Sequence, residues 1–270
     1  GIDHLTDAFV GATGAFQTLL YKAEIEAALR TPGLGGFQLL GLQDFTGQGV
    51  APVGVVDAFW KPKPYITAEQ YRRFAGPTVL LSRMDSFIWH TDETFEATID
   101  LAHYGPGPIE SVCTYELATD DGDVLASGQF DVSQRERGVA SVGAISVDLS
   151  SASASISAPI SAELRASLAD SRSSSPIENS WRIWVYPREL PTEPNADAVH
   201  IARALNEAAI DRLRSGGRVA LFVDPERVEG DTFGTFRPIF WNRVTFSSQR
   251  EHVVGLLIDD DHPALDGFPT

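Results

Sequence analysis

The segment between residues 77 and 186 constrains the fold most, because it repeats one pattern seven times. Short runs rich in Val, Ile, Thr and aromatic residues alternate with turn sequences rich in Gly, Pro and Asp. In one run Phe95, Ala97 and Ile99 are separated by polar residues, which is typical of a strand with one buried face. The runs cover 77–83, 94–103, 109–118, 124–132, 139–149, 158–168 and 181–186. This pattern predicts an antiparallel, immunoglobulin-like β-sandwich.

The last of these runs contains two tryptophans, Trp181 and Trp184. Their spacing departs from strict alternation, which indicates a bulge or a twist in the strand. We expect Trp184 to be buried between the sheets, because an indole ring removes a large apolar area from water. Cys113 is the only cysteine, so it cannot form an internal disulfide, and it is predicted to be a small buried apolar residue.

A helix is predicted over residues 14–30, ahead of the sandwich. Its apolar residues recur at helical spacing, and they are Phe16, Leu19, Leu20, Ala23 and Ala27. Glu26 and Arg30 form a favourable i,i+4 pair, and Glu24 and Glu26 are assigned to a solvated face. The sequence Thr31–Pro32–Gly33 is expected to end the helix.

A short apolar run, Phe37 to Leu42, follows this helix. A continuous run of this kind suits a strand that is covered on both faces, as in a parallel α/β sheet. The loop behind it carries Asp44, Gln48, Asp57 and Trp60. A helix, a turn and a buried strand make up half of a repeating α/β unit.

A second α/β segment is predicted after the sandwich. Residues 187–197 hold three prolines and are interpreted as a linker. Residues 197–214 predict a helix, with an apolar face of Ile201, Ala202, Leu205, Ala209 and Leu213. Buried strands are predicted at 218–224 and at 253–258. Both flanking segments hold too few elements for a whole α/β domain, so we expect the chain to be a portion of a longer polypeptide.

The stretch LLYKAEIEAALRTPG, followed by GFQLLGLQDFTGQGVAPVGVVDAFWKPKPY, resembles the end of the catalytic (β/α)8 barrel of glycoside hydrolase family 2. That family includes β-galactosidases, β-glucuronidases and β-mannosidases. RVALFVD through FWN, together with GLLIDDDHPALDGFPT, is similar to the C-terminal region of large bacterial members. The resemblance implies a barrel tail over 1–76, a β-sandwich over 77–190 and a partial flavodoxin- or amidotransferase-like α/β domain over 191–270.

The resemblance implies that the parent polypeptide is a retaining exo-β-glycosidase acting on terminal β-linked sugars. Retaining enzymes need two carboxyl groups, an acid/base and a nucleophile, about 5–5.5 Å apart. In the family the acid/base follows an Asn after strand four, and the nucleophile is a Glu after strand seven. The one Asn-Glu pair, Asn206–Glu207, falls within the helix predicted after the sandwich. Neither catalytic carboxylate can therefore be assigned to this chain, which is expected to be inactive by itself.

The resemblance also implies a substrate-pocket rim that contains Gln43, Asp44, Gln48 and Trp60, because barrel enzymes carry their chemistry at the C-terminal ends of the strands. Well-known members have a Trp within strand eight, where this chain has Leu40. Two roles stay open for Asp44. It hydrogen-bonds sugar hydroxyls, or it holds the TGQG turn through backbone N–H groups.

The formal net charge of −16 bears on the choice of partner. So acidic a surface repels phosphate backbones and anionic lipid, which argues against nucleic acid and membrane partners and leaves neutral sugars or cationic groups. The resemblance implies that the partner is carbohydrate. The acidic sequences 120–123 and 259–262 are predicted to be turns, and we expect no metal site and no cofactor. The expected protein partner is the remainder of the chain's own polypeptide. The alternative interpretation is a non-catalytic β-sandwich module that binds carbohydrate or packs against other domains.

Overall fold

The computed structural model describes residues 3–47, 53–151, 158–169, 175–188 and 199–224, with the short pieces 258–259, 262–265 and 268. The chain up to Arg188 belongs to one compact unit, and the described residues 199–224 belong to a second, so each is treated by itself. No helix within the described residues is both long and apolar enough to cross a membrane.

Eight strands of the first unit form two sheets that face each other. The strands are β1 Thr78–Arg83, β2 Ile88–His90, β3 Thr94–His103, β4 Ile109–Thr119, β5 Val124–Gln134, β6 Gly138–Asp148, β7 Ile160–Leu168 and β8 Ile177–Tyr186. One sheet has the order β1-β3-β6 and the other β2-β8-β7-β4-β5. All pairs are antiparallel except β2 with β8. The predicted β-sandwich is confirmed, while its immunoglobulin-like subtype stays a prediction. Strand β2 escaped the sequence analysis because three residues are too few to show alternation.

The core lies between the two sheets and consists of the inward-facing residues of both. Phe95, Ile99 and Leu164 are fully buried, as the alternation of apolar and polar residues predicts. Trp89 packs edge-on against Phe95, with ring centroids 5.3 Å apart. Cys113 is also fully buried, which confirms its predicted role, and burial raises the pKa of its thiol to about 11. A thiol held protonated in this way is a poor nucleophile.

The expectation that Trp184 is buried in the core is wrong. Strand β8 keeps an unbroken register with β7, so Trp181, Ile183 and Val185 all face inward. Trp184 lies on the opposite face and is only half-buried. No bulge is present, and a three-residue spacing in a regular strand necessarily puts the two indole rings on opposite faces.

Helix α1 spans Thr6–Arg30 and confirms the predicted helix, although it begins eight residues earlier than residue 14. Its buried face differs from the predicted one. Leu19 is 62% exposed, whereas Ile25 and Glu26 are buried. Ile25 packs against the short helix α2, Ala68–Phe74, and this contact rather than the apolar stripe decides the orientation of the helix.

Residues 37–42 do not form the predicted buried strand. They form no strand and bend at Leu40 and Leu42, with Phe37 45% exposed and Leu40 81% exposed. A parallel strand buried on both faces needs hydrogen-bonded neighbours on either side. Around this segment the described residues form isolated bridges rather than strands, and two of these bridges join Val56 to Gln43 and to Pro62.

The second unit contains β9 Val199–Ala202, α3 Glu207–Arg214 and β10 Arg218–Leu221. The strands pair in parallel, so the three elements form a β-α-β arrangement. The helix predicted over 197–214 is therefore too long, because its first part is β9. Helix α3 begins after Asn206, whose side chain accepts a hydrogen bond from Ala209 N at 2.9 Å as an N-cap.

Other predictions for this end of the chain have mixed outcomes. The sequence analysis placed Asn206 and Glu207 within a helix. In the structure they stand at the start of helix α3 instead. The buried strand predicted at 218–224 forms over its first four residues, but none of the four is buried and Leu221 is 42% exposed. The strand predicted at 253–258 lies outside the described residues apart from Ile258. Three short 3-10 helices complete the described elements, at Asp3–Leu5, Leu149–Ser151 and Pro263–Leu265.

Candidate functional site

The predicted pocket rim is built on a small three-segment scaffold within residues 42–63. Asp44 N donates to Val56 O at 3.0 Å, and Val55 N donates to Leu42 O at 3.0 Å, so the first two segments run parallel. The third segment returns antiparallel, with Lys63 N donating to Val55 O at 3.1 Å. These few main-chain bonds fix the described residues of the three segments relative to one another without a full sheet.

Asp44 anchors this scaffold. Its Oδ1 accepts hydrogen bonds from Gly54 N at 3.0 Å and from Lys63 Nζ at 2.7 Å. Both charged side chains are mostly buried, with 16% of Asp44 and 14% of Lys63 exposed. Gly54 approaches so closely that a Cβ atom there would lie 2.3 Å from the carbonyl carbon of Gln43. Asp44 therefore holds the backbone of Gly54 rather than that of the TGQG turn, whose last two residues lie outside the described residues, and both roles proposed for Asp44 stay predictions.

Helix α1 and Tyr65 hold residues 53 and 54 of the same scaffold through further hydrogen bonds. Gln17 Nε2 and Tyr21 Oη both donate to Val53 O, at 2.5 and 2.9 Å. Tyr65 Oη donates to Gly54 O at 3.2 Å. Burial raises the pKa of both tyrosines above the ordinary value, so both hydroxyls stay protonated as these donor roles require.

Gln43 offers an unused hydrogen-bond acceptor beside this anchor. Its Oε1 is buried and has no partner among the described residues, although the residue itself is only half-buried. Buried amide oxygens in native structures are nearly always paired, so an orphan marks a position suited to a ligand or a bridging water. Gln48, the other predicted rim residue with an amide, lies outside the described residues.

Trp60 lies at the tip of the hairpin that joins the second and third segments. Asp57 Oδ1 accepts from Phe59 N at 2.8 Å and from Lys61 N at 2.9 Å, which ties the tip together. Trp60 N donates to Asp57 O at 3.0 Å, closing a four-residue turn. Trp60 is 64% exposed and Phe59 is 82% exposed. Gln43 and Asp44 are neighbours in the sequence, and the structure places Trp60 at the end of the scaffold that contains them.

Sequence reasoning missed a buried charged cluster centred on Glu26. Its carboxylate accepts hydrogen bonds from Lys22 Nζ, from Arg30 Nη1 at 3.2 Å, from Asn179 Nδ2 at 2.8 Å and from Trp181 Nε1 at 3.0 Å. Only 3% of the Glu26 side chain is exposed, so its assignment to a solvated face is wrong. Basic residues four positions before and after one Glu were the available sequence signal. The cluster joins helix α1 to strand β8.

The electrostatics of this cluster suit a structural role. Burial lowers the pKa of Lys22, and the nearby Glu26 carboxylate acts in the opposite direction. The Lys22 ammonium also lies 4.9 Å from the ring centroid of Trp181. Four donors surround the Glu26 carboxylate and only 3% of its side chain is exposed, so a substrate has no access to it.

A polar groove of about 740 Å3 crosses the outer face of the five-stranded sheet. Side chains that point away from the core line it, and they include Arg73, Thr114, Glu116, Ser127, Gln129 and Arg165. Arg165 Nε lies 2.5 Å from Glu163 Oε2, and Arg73 Nη2 lies 3.7 Å from Glu178 Oε2. Hydroxyl, amide and paired charged groups of this kind can hydrogen-bond a polyhydroxylated ligand.

The acidic turns contain no metal centre among the residues that the structure describes. Asp120 is engaged by Arg182 Nη1 at 2.9 Å and by the Ser161 hydroxyl. His262 N donates to Asp259 O at 3.0 Å, which is a turn contact. The expectation of turns agrees with these contacts where the residues are described.

Comparisons with known proteins match two parts of the chain. The family described as Domain of unknown function (DUF8488) matches residues 93–187, and Domain of unknown function (DUF8487) matches residues 200–270. Neither match covers half of the chain. No curated protein matches it.

Several solved structures match part of the chain at low identity. A putative β-galactosidase from Bacteroides fragilis is 9% identical over 39% of this chain and 15% of that chain, with a TM-score of 0.27. A glycosyl hydrolase family 2 member from Bacteroides cellulosilyticus is 12% identical over 38% of this chain and 13% of that chain, with a TM-score of 0.28. The CARDB domain of the Pyrococcus furiosus PF1109 protein is 8% identical over 41% of this chain and 86% of that chain, with a TM-score of 0.29. The chain therefore spans a small fraction of the two glycosidases, and similarity at this level says nothing about its activity.

Replacing Asp44 by Asn should destabilise the first unit. The variant keeps one acceptor oxygen but removes the charge that holds Lys63, and charge-assisted hydrogen bonds contribute roughly 1.5–3 kcal/mol. We expect urea denaturation to show a loss of about that size. Asp85→Asn is the matched control, because Asp85 is exposed. Unchanged stability, together with a reduced kcat/KM in the complete polypeptide, would instead assign Asp44 to substrate binding.

Proposed function

We propose that the chain is the C-terminal portion of a retaining exo-β-glycosidase resembling glycoside hydrolase family 2. In this proposal the segment before the sandwich supplies one rim of the sugar pocket, and the β-sandwich supports it. The observation that carries the proposal is the loop anchored by Asp44. It directly follows the segment that resembles barrel strand eight, at the end where barrel enzymes bind their substrates.

Uncovered apolar residues support the same proposal. Leu19 on helix α1 is 62% exposed, and further exposed apolar residues precede and follow the anchor: Leu34, Phe37, Leu40, Leu42 and Phe45. Soluble proteins rarely leave so many large apolar side chains uncovered within one short segment. The remainder of a barrel belonging to the same polypeptide is the partner that we propose for them.

In the proposed mechanism this chain positions the substrate, and the rest of the polypeptide supplies the reacting carboxylates. A retaining glycosidase needs an acid/base and a nucleophilic carboxylate, and we assign both to parts outside the chain. Asp44 is committed to Lys63 and Gly54, and Glu26 is committed to four donors, so neither is free for that work. Gln43, Asp44, Gln48 and Trp60 would shape and position rather than react.

The 270-residue chain alone should not hydrolyse aryl β-glycosides. The complete product of its encoding reading frame should do so with retention of configuration at the anomeric carbon. The measurement is release of 4-nitrophenol from β-galactoside, β-glucuronide and β-mannoside substrates, with product stereochemistry followed by 1H NMR. Steady turnover by the isolated chain, abolished by a substitution within it, would overturn the proposal.

The polar groove on the five-stranded sheet favours a second candidate function. A non-catalytic module would hold a polysaccharide along that face and would carry no hydrolytic role. Comparing the intact mass of the native protein with its encoding reading frame separates the two candidates. A longer polypeptide with the two catalytic carboxylates supports the glycosidase, whereas a native protein of this length supports the binding module.

A further inference from the structure

The Phe59–Trp60 hairpin tip has a backbone that its sequence does not suit. Trp60 has a φ of +65°, and it is the one non-glycine with a positive φ among the residues that the structure describes. In a hairpin closed by a type I turn, the residue after the turn adopts this left-handed conformation and is usually Gly or Asn. A bulky aromatic residue is disfavoured there, because its Cβ crowds the backbone.

No described residue of the first unit compensates for this conformation by burying the two rings. Trp60 is 64% exposed and Phe59 is 82% exposed. The tip is nevertheless held firmly, since Asp57 accepts hydrogen bonds from the N–H groups of Phe59 and Lys61. Backbone strain that persists in a well-determined segment is concentrated at ligand-binding and active sites.

The direction of the hairpin places the tip on the same side as the anchor. Val56 pairs in parallel with Gln43, so the chain leading to the tip runs in the same direction as the chain leading to Asp44. The turn at 57–61 therefore extends beyond the end of the scaffold where Asp44 lies. If residues 37–42 correspond to barrel strand eight, that end is the substrate side of the barrel.

We propose that Trp60, assisted by Phe59, is a stacking platform for a neutral pyranose ring of a β-linked oligosaccharide. The C–H groups of a pyranose face are weakly polar and pack against an indole ring, while the hydroxyls around the ring edge stay hydrated or hydrogen-bonded. A chain with a net charge of −16 favours a neutral sugar over an anionic one. This inference rests on the proposed function. It adds to the pocket rim a contact with a sugar ring, which the Asp44 anchor itself does not make.

The test uses the whole 270-residue chain labelled with 5-fluorotryptophan. The chain has five tryptophans and hence gives five 19F signals. Cellotetraose and β-1,4-galactotetraose are the probes. We expect the Trp60 signal, identified by its loss in Trp60→Gly, to shift saturably with at least one probe. Trp60→Gly should weaken that binding by about tenfold or more, as measured by calorimetry. Its thermal midpoint should be equal to or above that of the wild type, because Gly accepts a positive φ without strain.

Two further variants separate stacking from a structural role. Trp60→Phe keeps an aromatic ring and should retain most of the affinity. Trp184→Phe alters a half-buried tryptophan on the sandwich and should leave affinity unchanged. The inference is overturned if no probe shifts the Trp60 signal, if Trp60→Gly binds as well as the wild type, or if Trp60→Gly lowers the thermal midpoint. Aryl glycoside hydrolysis by the complete polypeptide tests the proposed function separately, since those small substrates do not require a second sugar unit.

Discussion

Replacing Glu26 by alanine should cost about 3–5 kcal/mol of the free energy of unfolding of the first unit, the range for removing one partner of a buried ion pair. The carboxylate accepts from Lys22, Arg30, Asn179 and Trp181, and only 3% of it is exposed. Without it the Lys22 ammonium loses its counter-charge and the Trp181 N–H loses its acceptor, while Asn179 Nδ2 keeps only its bond to Leu80 O. Urea denaturation followed by near-UV circular dichroism measures the loss.

Two variants show whether the charge or the position of Glu26 matters. Glu24→Ala removes an exposed acid from the same helix and should change stability by less than about 0.5 kcal/mol. Glu26→Gln keeps the size of the side chain but leaves Lys22 without its counter-charge, so it should fall between alanine and wild type. A loss below about 1 kcal/mol for Glu26→Ala would mean that water replaces the carboxylate and that the cluster does not join the helix to the sandwich.

Replacing Trp181 by alanine should also cost roughly 3–5 kcal/mol, the usual range for truncating a buried aromatic residue. The indole is 6% exposed within the sandwich core and donates to Glu26 at 3.0 Å. Trp184→Ala is the matched control on the same strand, and its half-buried ring should give a clearly smaller loss. Equal losses for the two variants would contradict the assignment of Trp181 to the inner face.

Trp181 and Glu26 should also be coupled. Each side chain supports the other through the same hydrogen bond, so their effects should not add. A double-mutant cycle is expected to give an interaction free energy of about 0.5–3 kcal/mol. Additive losses would show that the helix and the sandwich are held together by other contacts.

The strands of the sandwich were predictable because each strand carries its own evidence. In β3 the alternation at Phe95, Ala97 and Ile99 marks the buried face without reference to any other part of the chain. The same is true of the existence of helix α1, and of Cys113 as a buried apolar residue. The alternation does not say which sheet a strand joins, so the order β2-β8-β7-β4-β5 and the parallel pairing of β2 with β8 emerged only in the structure.

The predictions that failed concern side chains whose burial depends on packing against residues far away in the sequence. Apolar spacing on α1 favoured a face containing Leu19, yet packing against α2 and the sandwich buries Ile25 and Glu26. The apolar run 37–42 has the composition of a buried strand, but among the described residues only Leu42 at its end accepts main-chain hydrogen bonds from a neighbouring segment, and no strand flanks it. The candidate rim rests only on the resemblance to a family and stays a prediction. The bond from Gly54 to Asp44 joins residues whose proximity no local pattern reports.

Local periodicity by itself determined that this chain forms a β-sandwich with a helix ahead of it. Tertiary structure decided that Trp181 rather than Trp184 enters the core, that Glu26 is buried, and that Trp60 stays exposed on a strained turn. The physical reason is the distance along the sequence over which each kind of interaction acts. A strand or helix period reflects backbone geometry over a few residues, whereas the hydrogen bond from Trp181 to Glu26 joins positions 155 residues apart and forms only when the chain has folded.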